Sequence, residues 1–323
     1  MKTMKNGKFI VSLDFELFWG VQDASFAQTY KKNILGGREA IPRLLKLFTE
    51  YGIHASWATV GFIFAENAEE AERYFPAEQY MPTYGKKELS CYRLFEDEKL
   101  LSEEKELFFA PELIKLIAET EGQEIASHTF SHYYSCEAGQ TLEQFTADMT
   151  AAKKIAEDKG YQLTSVVMPR NQCAPEYIAR LSELGFTAFR DEENDWIHKK
   201  VKPNKLKKAF RLADVYFPLT GQGGYIPEKK NGIWNFTGSR MYKPFFKPFS
   251  FLENVKLFRI KRQMLHAAKR GLTFHFWWHP HNIGVMTDFH LKQLEEIFAY
   301  YKTLNEKYGF ASKNMREYSA DAE

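Results

Sequence analysis

Five places in the sequence set Asp, Glu, His or Arg directly behind a short apolar run. Asp14 and Glu16 follow 9–13, His128 and His132 follow 124–127, and Pro169-Arg170-Asn171 follows 165–168. Asp191, with Asp195 and Trp196, follows 186–190, and His279, Pro280 and His281 follow 272–278. One polar strand end is ordinary, because strands must stop somewhere. Five of them ask for a common site.

The spacings narrow the chemistry. On a helical turn, His128 and His132 share a face and can hold one divalent ion. On an extended strand they would stand roughly 13 Å apart and could not. Asp14 and Glu16, two residues apart, point to the same side of a continuing strand. One of them can be a third metal ligand, leaving a position open for water, and the other can take a proton from that water. Metal binding brings the pKa of water from 15.7 towards about 7. Arg170 can hold the base carboxylate by a bidentate contact. His279 can protonate a leaving amine, its pKa raised by a neighbouring carboxylate such as Asp191 or Asp195. His275 repeats the four-residue spacing to His279, but inside a strand, where it is expected to be a core histidine.

The elements that must position these residues alternate along the chain. Strands are expected at 9–13, 54–60, 124–127, 165–168, 186–190 and 272–278. Helices are expected at 38–51, 111–120, 141–159, 175–184, 252–270 and 289–307. The α/β pattern gives six or seven βα units and predicts a barrel of parallel strands, with all five polar ends at its C-terminal mouth. A doubly wound nucleotide-binding sheet is disfavoured, because no glycine follows the first strand until Gly20. The expected organisation is a single catalytic domain over 1–323, with insertions at about 62–108 and 198–250.

Composition excludes several classes. With 44 basic and 42 acidic residues the net charge is +2, so no global field recruits nucleic acid. The densest basic stretch, 199–211, reads as a solvated face. Three cysteines are too few for a disulfide framework. The apolar run 9–13 meets Asp14 too soon for a signal peptide, and no stretch is long enough to span a membrane, so a cytoplasmic location is expected. Aromatics make up 16% of the chain, and the core is expected to absorb most of them. The segment 234–251, aromatic and basic, could cover a sugar-binding cleft, rest on a membrane as a peripheral contact, or tuck into the core.

The motifs Ser12-Leu13-Asp14-Phe15-Glu16, Ser127-His128-Thr129-Phe130-Ser131-His132, Met168-Pro169-Arg170, Asp191 to Trp196 and Trp278-His279-Pro280-His281 resemble, in order, those of the polysaccharide deacetylase family (carbohydrate esterase family four). The resemblance spans residues 8 to about 285. It implies a distorted (β/α)7-type barrel and hydrolysis of the amide of an N-acylated amino sugar. By the same resemblance Asp14 is the base, Arg170 its orienting partner, His279 the acid, and His128 and His132 ligands of Zn²⁺ or another divalent ion (Co²⁺, Ni²⁺, Mn²⁺). One departure stands out: the family's second Asp directly follows the first, and here that position is Phe15, with Glu16 as the next acid. In the cytoplasm such an enzyme would meet nucleotide- or lipid-linked sugars of surface-polysaccharide biosynthesis. The alternatives are metal-independent hydrolysis of a small cyclic amide or ureide, as in some relatives, and a carbohydrate-binding protein without chemistry.

Overall fold

The computed structural model describes residues 6–24, 27–193, 197 and 205–322. Among these residues ten strands are interspersed with ten α-helices. The strands are β1 (Lys8–Phe15), β2 (Ala55–Thr59), β3 (Gln123–Ser127), β4 (Ser165–Val167), β5 (Ala188–Asp191), β6 (Glu228–Lys230), β7 (Ile233–Thr237), β8 (Arg240–Met241), β9 (Thr273–Trp278) and β10 (Ala311–Lys313). The helices begin with α1 (Lys31–Tyr51), α2 (Ala68–Glu72), α3 (Glu98–Glu103), α4 (Pro111–Glu119) and α5 (Leu142–Asp158). They continue with α6 (Pro175–Glu183), α7 (Lys205–Tyr216), α8 (Glu253–Arg270), α9 (Thr287–Tyr308) and α10 (Met315–Asp321).

The sheet runs β6-β7-β5-β4-β3-β2-β1-β9-β8, every pair parallel except the β6–β7 hairpin. This is the distorted (β/α)7 barrel expected from the sequence. The ladder does not close on itself. β7 pairs with β5 and β8 with β9, and only Gly238 and Ser239 lie between them. That one stretch of chain crosses the gap, tied on one side by Gly238 N–H to the Asp191 carbonyl (3.2 Å) and on the other by Ser239 N–H to the His275 carbonyl (2.9 Å).

Strand alternation divides the side chains into two environments. Phe9, Val11, Leu13 and Phe15 of β1 face outward into the large core shared with the helices. Ile10 faces inward, where it joins Ala58, Val167, Ala188 and Phe236 in a small apolar layer. α10 closes this end of the barrel: Met315 packs into that layer, and its N–H donates to Ser56 Oγ (2.9 Å). The inward positions nearer the C-terminal strand ends are polar instead.

The residues between β2 and α4 absorb much of the aromatic surplus. Trp19 stacks on Phe95 (5.5 Å between centroids), and Phe62 and Phe75 complete the cluster. The segment 234–251 divides between the core and the barrel mouth, where Arg240, Met241 and Lys243 line a cleft. Trp234 and Phe236 of β7 pack on Tyr318 of α10, and Tyr242 is fully buried.

Candidate active site

Glu16 lies at the centre of the barrel mouth, buried, with four imidazoles around its carboxylate. Oε2 stands 3.1 Å from His132 Nε2 and 3.3 Å from His128 Nε2. Oε1 stands 3.4 Å from His279 Nε2 and 3.9 Å from His281 Nε2. Asp14, one inward step earlier on β1, approaches His279 Nε2 at 3.6 Å. Phe15 between them points the other way and packs edge-on against Trp57 (6.5 Å). Alternation therefore explains the unusual spacing. With Phe15 turned into the core, the next side chain that can reach the mouth is Glu16.

The two histidines after β3 meet by neither of the routes open to a regular element. Thr129 and His132 take left-handed φ values of 65° and 56°, which fold 128–132 into a tight turn. Their rings come to 5.1 Å. Asp148 of α5 braces this turn, accepting from Phe130 N–H (2.7 Å), Ser131 N–H (3.1 Å) and the Ser131 hydroxyl. Burial pushes the Asp148 carboxyl up to about 6, against these hydrogen bonds.

The donor set fits a divalent cation. His128 Nδ1 donates to the Val167 carbonyl (2.8 Å), which leaves its Nε2 aimed at a carboxylate oxygen, where the neutral ring can ligate an ion. Ligand atoms about 2.1 Å from a tetrahedral ion are about 3.4 Å apart. The 3.1 and 3.3 Å separations here match that spacing. Burial raises the Glu16 carboxyl, but the surrounding imidazoles outweigh it and hold the group well below the usual range.

Arg170 does not hold Asp14. It stacks over Tyr134 (4.1 Å) and pairs with Asp23 and Glu137, tying together the loops after β1, β3 and β4. Its backbone, at φ 56°, turns the side chain towards these loops instead of into the barrel. The partner of Asp14 is Arg190, the inward residue of β5. Its Nη1 donates to Oδ1 and its Nη2 to Oδ2, both at 2.7 Å. Nη1 also donates to Ser12 Oγ (2.9 Å), Nε to Asn171 Oδ1 (3.2 Å), and the guanidinium lies 4.2 Å from the Trp277 ring. Burial raises the Asp14 carboxyl, yet Arg190 and the nearby imidazoles bring it below its ordinary value.

Asp191 does not flank His279 either; it pairs with Lys230 at 2.8 Å. The carboxylates beside His279 are Asp14 and Glu16. Asp195 and Trp196 lie outside the described residues. His275 is a core histidine, hydrogen-bonded through Nε2 to Ser12 Oγ (2.8 Å). Burial and His279 push the His281 imidazole down to about 3. The backbone carrying His281 lies close against α1, since a Cβ at Gly37 would stand 2.9 Å from His281 Cα. A cleft of about 230 Å³ opens beside Arg190, lined among others by Trp277, Arg170, Asn171, Arg211, Arg240 and Lys243.

Solved structures share this architecture across nearly the whole chain. A protein from Mycobacterium smegmatis described as a polysaccharide deacetylase aligns with 99% of this chain and 92% of its own (TM-score 0.61, 13% identity). One from Pseudomonas aeruginosa, described likewise, aligns over 97% and 89% (TM-score 0.55, 14% identity). The Puue allantoinase aligns over 97% and 88% (TM-score 0.55, 14% identity). At such identities these likenesses show the fold. No match was found among curated proteins. The family model for polysaccharide deacetylase matches residues 22–189, more than half of the sequence. The chain belongs to the polysaccharide deacetylase family and is a hydrolase of non-peptide C–N bonds.

Proposed function

We propose that this protein removes the acyl group, acetyl or formyl, from the nitrogen of an acylated amino sugar, with Glu16, His128 and His132 holding a divalent ion. The observation that carries the reading is the convergence of His132 Nε2 and His128 Nε2 on Glu16 Oε2, at 3.1 and 3.3 Å. An ion held there would acidify a water molecule and polarise the acyl oxygen. Asp14, kept ionised and fixed in angle by Arg190, takes the proton of the attacking water. His279 Nε2, facing both carboxylates and partly open to solvent, gives a proton to the departing amine nitrogen. His281 is buried deeper and stands farther from Glu16, which favours His279 as the acid. Trp277 offers a flat ring to a sugar, and the mixed lining of Arg211, Lys243, Glu192 and Glu193 offers donors and acceptors to its hydroxyl groups.

Elemental analysis of the purified protein beside its Glu16→Ala and His128→Ala variants tests the reading. About one equivalent of zinc or a similar metal, lost in both variants, supports it, with release of acetate or formate from N-acylated sugar nucleotides as the second readout. No metal after reconstitution overturns it and places the metal-free amide hydrolase first.

A further inference from the structure

The charge of this chain is unevenly distributed. Residues 205–262 carry thirteen Lys and Arg against three Asp and Glu, a net of +10, which leaves the rest of the chain at −8. Two of those three acids, Asp214 and Glu253, are buried in ion pairs with Arg240, Arg259 and Lys256. Lys208, Lys243, Lys247 and Arg262 are exposed.

The same region carries a cluster of exposed aromatic rings. Phe251 is 75% exposed, Phe258 61% and Phe217 50%. Val255 and Phe258, three apart, share one side of the start of α8, and Phe251 stands in the turn directly before that helix. Phe217, at the end of α7, joins Val255 and Phe258 around a cleft of about 180 Å³ that Arg262 also lines. Tyr216 meets Phe249 (5.7 Å), and Phe249 meets the exposed Phe246 (5.6 Å), so the loop before α8 continues the surface. Large rings grouped on one face and rimmed by cations are not what a freely soluble surface needs.

We propose that this face, made by the end of α7, the loop 246–251 and the first half of α8, docks the protein on a bilayer bearing anionic lipids. The rings enter the boundary between headgroups and acyl chains, while Lys247 and Arg262 stay with the phosphates. The charge favours such a surface over a second copy of the chain, since the exposed Lys247 and Arg262 beside the rings would meet the same cations on a copy docked face to face. α7 links the docking face to the cleft. Its Arg211, Asp214 and Val215 line the cleft beside Trp277, while Tyr216 and Phe217 line the apolar side. A substrate anchored in the same bilayer would thus be presented one helix away from Arg190. The docking concerns a surface and does not depend on the chemistry assigned to Glu16.

The test is co-sedimentation of the full chain with vesicles of phosphatidylcholine alone or mixed with phosphatidylglycerol, alongside Phe251→Ser/Phe258→Ser and Lys247→Glu/Arg262→Glu double variants. The expected result is binding to the mixed vesicles that weakens with salt, is slight on pure phosphatidylcholine, and falls at least about tenfold in each double variant. Unchanged circular dichroism and urea midpoints show that the variants are folded. A protein that stays in the supernatant with both vesicle types overturns the proposal, as do variants that bind like the parent. A dimer in sedimentation velocity that the same substitutions dissolve, without vesicle binding, overturns it in favour of self-association. Neither outcome alters the elemental analysis, so the two readings fail separately.

Discussion

Arg190 grips Asp14 through two parallel hydrogen bonds of 2.7 Å, inside a barrel where neither residue meets bulk water. The pairing spans 176 residues of sequence and is held from below by Ser12 and from the side by Asn171. A guanidinium matches a carboxylate with two coplanar donors, whereas an ammonium offers a single point charge. Arg190→Lys should therefore keep the charge and lose the angle. We expect kcat to fall about 10²-fold with a smaller change in KM, since a displaced base costs the transition state more than binding. Arg190→Met, which leaves Asp14 buried without a partner, should lower stability by about 3–5 kcal/mol in urea titration. A Lys variant with parental kcat would show that Asp14 needs only a nearby charge.

Gly20 backs directly onto the Glu16 carboxylate, and a Cβ there would overlap its Cδ and both oxygens. The obstacle is the end of a flexible side chain, so Glu16 can move aside while the fold stays intact. Gly20→Ala is expected to lose bound metal and at least about 10²-fold in kcat while unfolding remains cooperative. Gly85→Ala is the control, because its Cβ would meet only Ala138 O at an ordinary 3.6 Å. Equal metal content in the two variants would show that Glu16 is not a ligand.

Asp148 accepts three hydrogen bonds from the turn that carries both histidines. Asp148→Ala strands two buried N–H groups, each worth about 1–3 kcal/mol when unsatisfied. A loss of roughly 3 kcal/mol is expected from chemical denaturation, together with weaker metal retention in competition with a chelator. Full stability in the variant would mean that water replaces the carboxylate and that the turn is held by its own backbone.

His290 is neutral by construction. Tyr242 donates its hydroxyl proton to Gln293 (2.7 Å), so His290 Nδ1 must donate to the tyrosine oxygen (2.8 Å), while Nε2 accepts from Phe245 N–H (3.4 Å). Burial, with Lys256 nearby, pushes the imidazole down from 6.5 to about 4. Below pH 6.5 the unfolded chain binds a proton that the folded one refuses. Stability is therefore complete above that value, falls between pH 6.5 and about 4, and levels off below. The loss from this group is on the order of 3 kcal/mol. Urea midpoints at pH 7 and pH 4.5 for the parent and for His290→Asn should differ in slope by most of that amount. Matching slopes would refute the assignment.

Strand ends carried most of the legible information. β1 to β5 and β9 could be read from short apolar runs, and among the residues at their ends Asp14, Glu16, His128, His132, His279 and His281 gather at one mouth. Arg190 carries no signal as a residue behind a strand, because it lies within β5; only its inward parity, shared with Ala188, points it at the site. Arg170, beside a proline, looked better placed, but its left-handed backbone turns it towards the loops. The turn at 128–132 was out of reach for a related reason: its two left-handed residues are stabilised by Asp148, far along the chain and invisible to local periodicity. β8, with two residues, and α10, whose role is to plug the barrel floor, are fixed by tertiary packing and carry no pattern of their own.

The gap between β7 and β8 gives this barrel one adjustable hoop. Elsewhere, lengthening a strand connection would have to respect the ladder on both sides. At Gly238 and Ser239 the ring is completed by peptide linkage, so an added residue would loosen the rim without slipping any register. Trp277 sits directly against this tie, its indole nitrogen 3.0 Å from where a Cβ on Gly238 would be. Divergence or a designer could thus refit the cavity for a bulkier guest at this point while leaving the reacting groups in place.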